Sequence, residues 1–174
     1  MLINLSDALT YEGRTVNTVA TLEMTQFRSR LGNFPIVEKS DVELQIANCG
    51  DGKARIEGRC ELQFQAFCDR CLSEVPVILH LSFDRTVASP DVTDTEDEED
   101  AASFMEGYQL DVEAFVYNEI LVNWPVKILC KEDCKGVCPK CGRNLNQGEC
   151  GCDTFVPDPR MAAIQDIFNA NKEV

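Results

Sequence analysis

Residues 130–152 read Cys130-Lys-Glu-Asp-Cys134-Lys-Gly-Val-Cys138-Pro-Lys-Cys141-Gly-Arg-Asn-Leu-Asn-Gln-Gly-Glu-Cys150-Gly-Cys152, and the rest of the chain is organised around them. Six of the ten cysteines lie in this stretch. Four of them form a CxxC pair and a CxC pair, and four thiolates at these offsets can surround a zinc ion at about 2.3 Å with no open position left. The stretch therefore predicts a small structural zinc ribbon with the ligands Cys138, Cys141, Cys150 and Cys152.

The compartment decides between metal binding and disulfides. No window approaches the ~18 apolar residues of a membrane span, and residues 1–7 do not have the pattern of a secretory signal. We therefore expect a cytoplasmic protein, and a reducing cytosol favours metal binding over disulfide formation. An iron–sulfur cluster is an alternative, but a CPKCG knuckle followed by CxC resembles zinc ribbons more than the ferredoxin spacings.

Three runs of alternating apolar and polar residues precede the cysteine stretch. They cover residues 42–46, 56–66 and 75–83. Because side chains alternate between the two faces of a strand, each run offers one face to a core. The runs predict an antiparallel β meander, and residues 1–33 predict shorter strands before it.

A further CxxC, Cys68-Asp-Arg-Cys71, lies between the second and third predicted strands. If the ribbon uses four cysteines, Cys130 and Cys134 are left over and can complete a second four-thiolate site with Cys68 and Cys71. Such a site would join the meander to the C-terminal segment, with a stabilisation on the order of 10 kcal/mol. In the alternative, Cys130 and Cys134 belong to the local cluster and the CxxC holds no metal. We prefer two sites.

The remaining elements complete an α+β fold class: an antiparallel β meander with one or two packed helices and a small C-terminal zinc ribbon. Asp111 is a good N-cap for a helix that ends at Trp124-Pro125, and a second helix is predicted after Asp158-Pro159. We expect a β-rich core domain over residues 1–126. A cysteine-rich zinc-binding segment with the C-terminal helix is expected over residues 127–174.

The charge distribution argues against general binding of polyanions. The net charge is -14, and seven acidic residues lie between residues 91 and 100. We expect residues 89–102 to form an acidic, mobile, solubilising loop; the alternative is a mimic of nucleic acid or a docking arm for a basic partner. Residues 126–152, in contrast, contain five basic and three acidic side chains and form a mildly basic island.

Catalytic chemistry has few candidates. The only histidine, His80, falls on the polar face of a predicted strand, and neither a phosphate-binding glycine loop nor an HExxH motif is present. Redox chemistry at Cys68 and Cys71 is a minority interpretation, because a thioredoxin-like CxxC opens a helix and here the strand pattern resumes at Val75. We expect no enzyme activity and assign no catalytic residue.

Several features together resemble the YceD family of bacterial and plastid large-ribosomal-RNA-subunit accumulation proteins, over nearly the whole chain. They are the N-terminal Ile-Asn-Leu-Ser, the β-rich middle with Phe-Cys-Asp-Arg-Cys-Leu, the acidic loop, the helix that ends near Trp124-Pro125 and the cysteine stretch. The resemblance matches the family-core cysteines to Cys68, Cys71, Cys130 and Cys134. The Cys138–Cys152 ribbon is similar to an extended form in part of the family.

The resemblance implies a ribosome biogenesis factor that is needed for accumulation of large-subunit ribosomal RNA and acts by binding, with one or two structural zinc ions. The implied partner is that RNA or a pre-ribosomal particle, reached directly or through a basic ribosomal protein; no membrane and no small-molecule substrate is expected. Candidate contact residues are Arg28, Arg30, Lys135, Lys140 and Arg143. The competing class is a zinc-ribbon protein-interaction adaptor that is unrelated to ribosomes.

Overall fold

A computed structural model describes residues 1–92 and 104–152. Its elements are β1 (Leu2–Asn4), α1 (Ser6–Thr10), β2 (Thr15–Ala20), β3 (Gln26–Ser29), β4 (Gly32–Lys39), β5 (Val42–Gly50), β6 (Lys53–Phe67), β7 (Glu74–Ala88), β8 (Met105–Glu106), β9 (Gln109–Asp111) and α2 (Val112–Asn123). A six-stranded sheet runs β2-β5-β6-β4-β3, with β7 also paired to β6, and a small sheet runs β1-β9-β8.

The β6–β7 hairpin is the axis of the large sheet. Its strands pair without interruption from Lys53↔Ala88 to Phe67↔Glu74. The other edge of β6 is divided, because β5 pairs with its first half and β4 with its second half. The hairpin therefore defines two ends of the sheet: the cysteine end, at the β6–β7 connection, and the opposite end, at the β5–β6 turn.

One face of this sheet and the buried side of α2 enclose the core. The alternation predicted from the sequence is confirmed, since Ile46, Ile56 and Phe64 are fully buried and Cys60 is buried as a small core residue. Trp124 closes the cysteine end of the core, with ring centroids 4.5–5.1 Å from those of three phenylalanines, Phe27, Phe34 and Phe64.

The predicted helix is confirmed with its boundaries. The Asp111 carboxylate accepts hydrogen bonds from the backbone N–H groups of Glu113 and Ala114 at 3.0 and 3.4 Å, as an N-cap should. The helix ends at Asn123, before Trp124-Pro125. No helix within residues 1–92 and 104–152 is long and apolar enough to cross a membrane.

The sequence patterns did not predict every element. The five-residue helix α1 and the strands β4, β8 and β9 were missed, and Pro35 interrupts the pattern of β4, whereas β1 falls among the short strands predicted for residues 1–33. The predicted meander is present as β5, β6 and β7, but β2 and the β3–β4 hairpin widen it. The architecture of mostly antiparallel sheets with two helices agrees with the predicted α+β class.

Two expectations fall wholly or largely outside the described residues. The helix predicted after Asp158-Pro159 lies there, as does most of the predicted acidic loop, residues 93–102. The residues that lead into that loop are at the opposite end of the sheet, where Ser89 N–H donates to the Gly52 carbonyl at 2.8 Å. The domain boundary expected at residues 126/127 stays a prediction.

Gly58, on the inner face of β6, provides a test of this packing. A Cβ atom there would lie 2.7 Å from Phe83 Cζ and 2.8 Å from Leu44 Cδ2, and the Phe83 ring packs edge-on against Phe115 with centroids 4.9 Å apart. We expect Gly58→Ala to lower the free energy of unfolding by about 1–3 kcal/mol, measured by urea denaturation. In a Phe83→Leu background the same change should cost less, and an equal cost in both backgrounds would contradict this explanation.

Candidate metal centres

The first cluster, defined as Cys68, Cys71, Cys130 and Cys134, brings together two cysteine pairs that are far apart in the chain. All four sulfurs lie within 4.8 Å of one another. Cys68 Sγ is 3.7 Å from Cys134 Sγ, and Cys71 Sγ is 3.5 Å from Cys130 Sγ. A disulfide would need about 2.05 Å. A tetrahedron with bonds of about 2.3 Å places its sulfurs about 3.8 Å apart, so this spacing is compatible with a four-thiolate metal site.

The β6–β7 connection forms the knuckle that presents Cys68 and Cys71. Cys68 N–H donates to the Ser73 carbonyl at 2.8 Å, and Leu72 N–H donates to the Cys68 carbonyl at 2.9 Å. Leu72 adopts a left-handed conformation, with φ 59°, to close this turn. The sequence patterns predicted that this CxxC lies between two strands. The paired strands β6 and β7 on either side of it fix both thiols relative to the sheet.

The segment after α2 is held against this knuckle by hydrogen bonds from backbone and side-chain groups and by one close backbone approach. Asp69 N–H donates to the Ile128 carbonyl, and Ile128 N–H donates to the Asp69 carboxylate, both at 2.8 Å. The Arg70 guanidinium donates to the Cys134 carbonyl at 2.9 Å. Gly136 then passes so close that a Cβ would lie 3.1 Å from the Arg70 carbonyl oxygen, and its φ of +75° also favours glycine.

The second cluster, defined as Cys138, Cys141, Cys150 and Cys152, is the predicted ribbon. Its four sulfurs also lie within 4.8 Å of one another. Gly142 N–H donates to the Cys138 carbonyl at 2.9 Å, and Cys138 N–H donates to the Arg143 carbonyl at 2.8 Å. These bonds form a second knuckle. Cys138 is buried, whereas Cys141 is exposed, so this cluster lies nearer the surface than the first.

Backbone N–H groups prepare some of these sulfurs for ionisation. The N–H groups of Cys141 and Lys140 lower the pKa of Cys138 to about 6. Burial raises the pKa of Cys68, but hydrogen bonds from backbone N–H groups, that of Cys130 foremost, outweigh it and lower this pKa to about 6. Each of these groups stabilises the thiolate, which is the form that binds metal.

Other cysteines of the same clusters have raised pKa values. The pKa of Cys130 is raised to about 12, chiefly by its hydrogen bond with Cys71, and that of Cys152 is raised to about 12, chiefly by Cys141. A thiol beside a thiolate resists a second negative charge. A divalent cation removes this conflict, and four soft thiolate donors are a set that suits zinc.

The two cysteine sets expected from the sequence are thus each brought together, and their ligand number and spacing could hold zinc. Cys49 lies outside both clusters and is exposed. His80 is exposed, with Nδ1 2.7 Å from Glu61 Oε2.

The candidate RNA contacts lie in two groups of exposed residues. Lys135, Lys140 and Arg143 belong to the ribbon segment, and Arg28 and Arg30 belong to the β3–β4 hairpin. The β4 register, with Ile36 opposite Phe64 and Lys39 opposite Leu62, directs the turn of that hairpin towards the cysteine end. The structure therefore places both groups at the same end of the sheet.

Outer contacts of the first cluster were missed by the sequence reasoning. Asn146 Nδ2 donates to Cys134 Sγ at 3.2 Å, and Ser73 Oγ lies 3.4 Å from Cys71 Sγ. Asn144 Nδ2 donates to the same Ser73 hydroxyl at 3.2 Å. The spacing of the cysteines does not predict these hydrogen-bond partners, because only the folded chain brings them close to the sulfurs.

The comparisons with known proteins return one family and several uncharacterized relatives. A family model described as "Large ribosomal RNA subunit accumulation protein YceD" matches residues 56–168, which include all eight clustered cysteines. An uncharacterized protein of Mycobacterium tuberculosis (strain ATCC 25618 / H37Rv) is 27% identical over 134 residues, 76% of this chain and 64% of the relative. An uncharacterized protein of Mycobacterium leprae (strain TN) is 29% identical over 79 residues, 45% of this chain and 36% of the relative.

The chain thus spans 64% of the length of the Mycobacterium tuberculosis relative. No solved structure matches the chain. Because the family model covers well over half of the sequence, the chain belongs to the YceD family of large ribosomal RNA subunit accumulation proteins.

Proposed function

We propose that this protein supports the accumulation of large-subunit ribosomal RNA by binding to precursor large subunits, and that two structural zinc ions hold its binding end in shape. The observation that carries the proposal is the family match over residues 56–168. The family description names an effect on ribosomal RNA and no chemical reaction. Work on pre-ribosomal particles would place the protein in the cytoplasm.

The donor chemistry supports zinc at both clusters. Each offers four thiols and no fifth group, which suits a closed structural site and leaves no position for a substrate. Zinc in the first cluster would join the β6–β7 connection to the segment that follows α2. Zinc in the second cluster would close the ribbon. The four-sulfur arrangement also weighs against a CxxC redox pair, since Cys68 and Cys71 each have a sulfur neighbour from the Cys130/Cys134 pair.

The placement of charge supports contact with RNA at the cysteine end. The ribbon segment and the β3–β4 hairpin present their exposed basic side chains there, whereas the acid-rich sequence at residues 94–100 follows Val92, which lies beside Gly52 at the opposite end. A local group of basic side chains of this kind can meet a polyanion despite a net charge of -14.

The basic surface of the ribbon is a modest one. A zinc ion with four thiolates carries a net charge of about -2, which offsets part of the positive charge of Lys135, Lys140 and Arg143. Direct contact with RNA would therefore rest on a few well-placed side chains. The alternative is binding through a basic ribosomal protein, which the salt-dependence experiment below distinguishes from direct RNA contact.

Metal content tests the two zinc sites. We expect two zinc ions per chain by elemental analysis, and one ion in each of Cys68→Ser and Cys138→Ser, because each variant removes a ligand from only one cluster. Cys49→Ser is the matched control and should retain two ions, since this exposed cysteine belongs to neither cluster. A single ion that is lost only in Cys138→Ser would contradict a metal at the first cluster.

Ribosomal RNA levels test the cellular role. Depletion of the protein should lower the ratio of large- to small-subunit RNA, and the wild-type chain should restore it. A Lys140→Glu/Arg143→Glu variant that still holds two zinc ions should restore it less well. Arg14→Glu, an exposed charge reversal at the opposite end, is the control and should restore it fully. An unchanged ratio on depletion, with no co-sedimentation with precursor particles, would refute the proposal.

Salt dependence separates direct RNA binding from binding through a protein. If the basic side chains contact phosphates, the affinity for large-subunit RNA should fall steeply between low and moderate salt, because counterions are released on binding. Lys140→Glu/Arg143→Glu should weaken binding by on the order of tenfold and flatten this slope. Binding that is insensitive to salt, or that persists after ribonuclease treatment of captured particles, would point to a protein partner.

A further inference from the structure

The ribbon loop, defined as residues 142–149, connects the two cysteine pairs of the second cluster but contacts the first cluster. Asn146 Nδ2 donates to Cys134 Sγ at 3.2 Å, and Cys134 is only 3% exposed. We propose that Asn146 is a positioning residue that couples the two metal sites, so that zinc in the ribbon strengthens zinc binding at the first cluster. This inference rests on the two-zinc sites of the proposed function.

The orientation of the Asn146 amide is fixed by its other hydrogen bonds. Its Oδ1 accepts from Lys135 N–H at 2.9 Å. A backbone N–H can only donate, so the oxygen must face Lys135 and the amide nitrogen must face the sulfur. Asn144 Oδ1 accepts from both the backbone N–H and the side-chain Nδ2 of Asn146 at 2.9 Å. When the loop is in this conformation, the Asn146 amide nitrogen is therefore oriented towards the sulfur.

The same loop also reaches the other side of the first cluster. Asn144 Nδ2 donates to Ser73 Oγ at 3.2 Å, and that hydroxyl lies 3.4 Å from Cys71 Sγ. Leu145 N–H donates to the Gly136 carbonyl at 2.9 Å, which fixes the loop against the chain that follows Cys134. Two asparagines of one loop thus contact both cysteine pairs of the first cluster. Asn146 contacts Cys134 directly, and Asn144 contacts Cys71 through the Ser73 hydroxyl.

A donor at this position stabilises the metal-bound state. A thiolate on zinc keeps much of its negative charge, and a hydrogen bond to a charged, buried acceptor is stronger than one between neutral groups. Loss of such an outer partner typically costs 10–100-fold in metal affinity. Asn146 has no role in closing the ribbon itself, because its side chain faces Cys134 rather than a ribbon sulfur.

The coupling follows from how the loop is anchored. Cys141 and Cys150, which flank it, are both ribbon ligands, so zinc in the ribbon fixes both ends of the loop. Without that ion, the loop must lose conformational freedom before Asn146 can reach Cys134, and this ordering weakens the contact. Binding at one site therefore favours binding at the other, and by thermodynamic linkage the effect is reciprocal.

A double-mutant cycle on the full chain tests this coupling. The readout is the zinc affinity of the first cluster, measured by equilibrium competition with a chelator of known affinity. Cys141→Ser, which empties the ribbon, should weaken this affinity about tenfold or more, and Asn146→Ala should weaken it to a similar degree. In the Asn146→Ala background, Cys141→Ser should have little further effect, because the contact that transmits the coupling is already absent.

Two further variants sharpen the result. Asn146→Asp retains the oxygen that accepts from Lys135 N–H but turns an anionic oxygen to the thiolate, so it should weaken the first site at least as much as Asn146→Ala. Gln147→Ala, an exposed neighbour in the same loop, should change neither site. The circular dichroism spectrum of each variant should match that of the wild-type chain, since the large sheet does not depend on this loop.

The possible failures are distinguishable. Two zinc ions per chain with a first-site affinity that Cys141→Ser or Asn146→Ala leaves unchanged would overturn the coupling alone. Losses that add fully in the double variant would overturn it as well. Fewer than two zinc ions in the wild-type chain would overturn the two-site proposal and this inference with it.

Discussion

The approach of the chain after α2 to the β6–β7 connection is the constraint on which the cysteine end depends. β6 and β7 are paired up to Phe67 and Glu74, so the knuckle between them is fixed by the sheet. The chain from Trp124 to Cys152, in contrast, contains neither a helix nor a strand of its own beyond a single bridge between Val137 and Asn144. Its attachment rests on the buried side chains of Trp124 and Ile128, on a few hydrogen bonds of about 1 kcal/mol each and on the first cluster. Zinc at the first cluster, as proposed, would add a stabilisation on the order of 10 kcal/mol to these contacts.

The charge state of the first cluster would also favour a metal ion. Cys68, Cys71 and Cys134 are buried together and the exposed Cys130 lies beside them; hydrogen bonds lower the pKa of Cys68, whereas the pKa of Cys130 is raised, chiefly by its hydrogen bond with Cys71. Such a mixture is poorly matched to a dry interior, because a buried anion without a counter-ion is costly. A divalent cation converts the same four groups into one compact unit. If zinc binds as proposed, the basic side chains around the ribbon would also balance the negative charge that remains on the zinc–thiolate units.

How far the sequence predicts this molecule depends on the range of the interactions concerned. Alternation along β5, β6 and β7 and the Asp111 N-cap are local, periodic signals, and they were sufficient for the central meander and for α2. β4 was missed because Pro35 interrupts its pattern, and β8 and β9 were missed because they are too short to show a period. Cysteine counting brought Cys68 and Cys71 together with Cys130 and Cys134, since the thiols left over from one site had to be explained. No comparable sequence rule predicts the contact of Asn146 with Cys134, because only the folded chain brings the two side chains together.

The two clusters differ in depth, and this difference gives them different parts in the fold. Cys68 and Cys134 are almost completely buried, whereas Cys141 is exposed and Cys150 and Cys152 are partly exposed. A zinc ion at the first cluster, where only Cys130 is exposed, would be largely enclosed and would join distant segments of the chain, which suits a permanent structural role. An exposed ribbon that places its loop over the buried site then acts as a cover, since Asn144 and Asn146 lie against groups that would otherwise face solvent. The ribbon is therefore better understood as a part of the cysteine end than as an independent appendage.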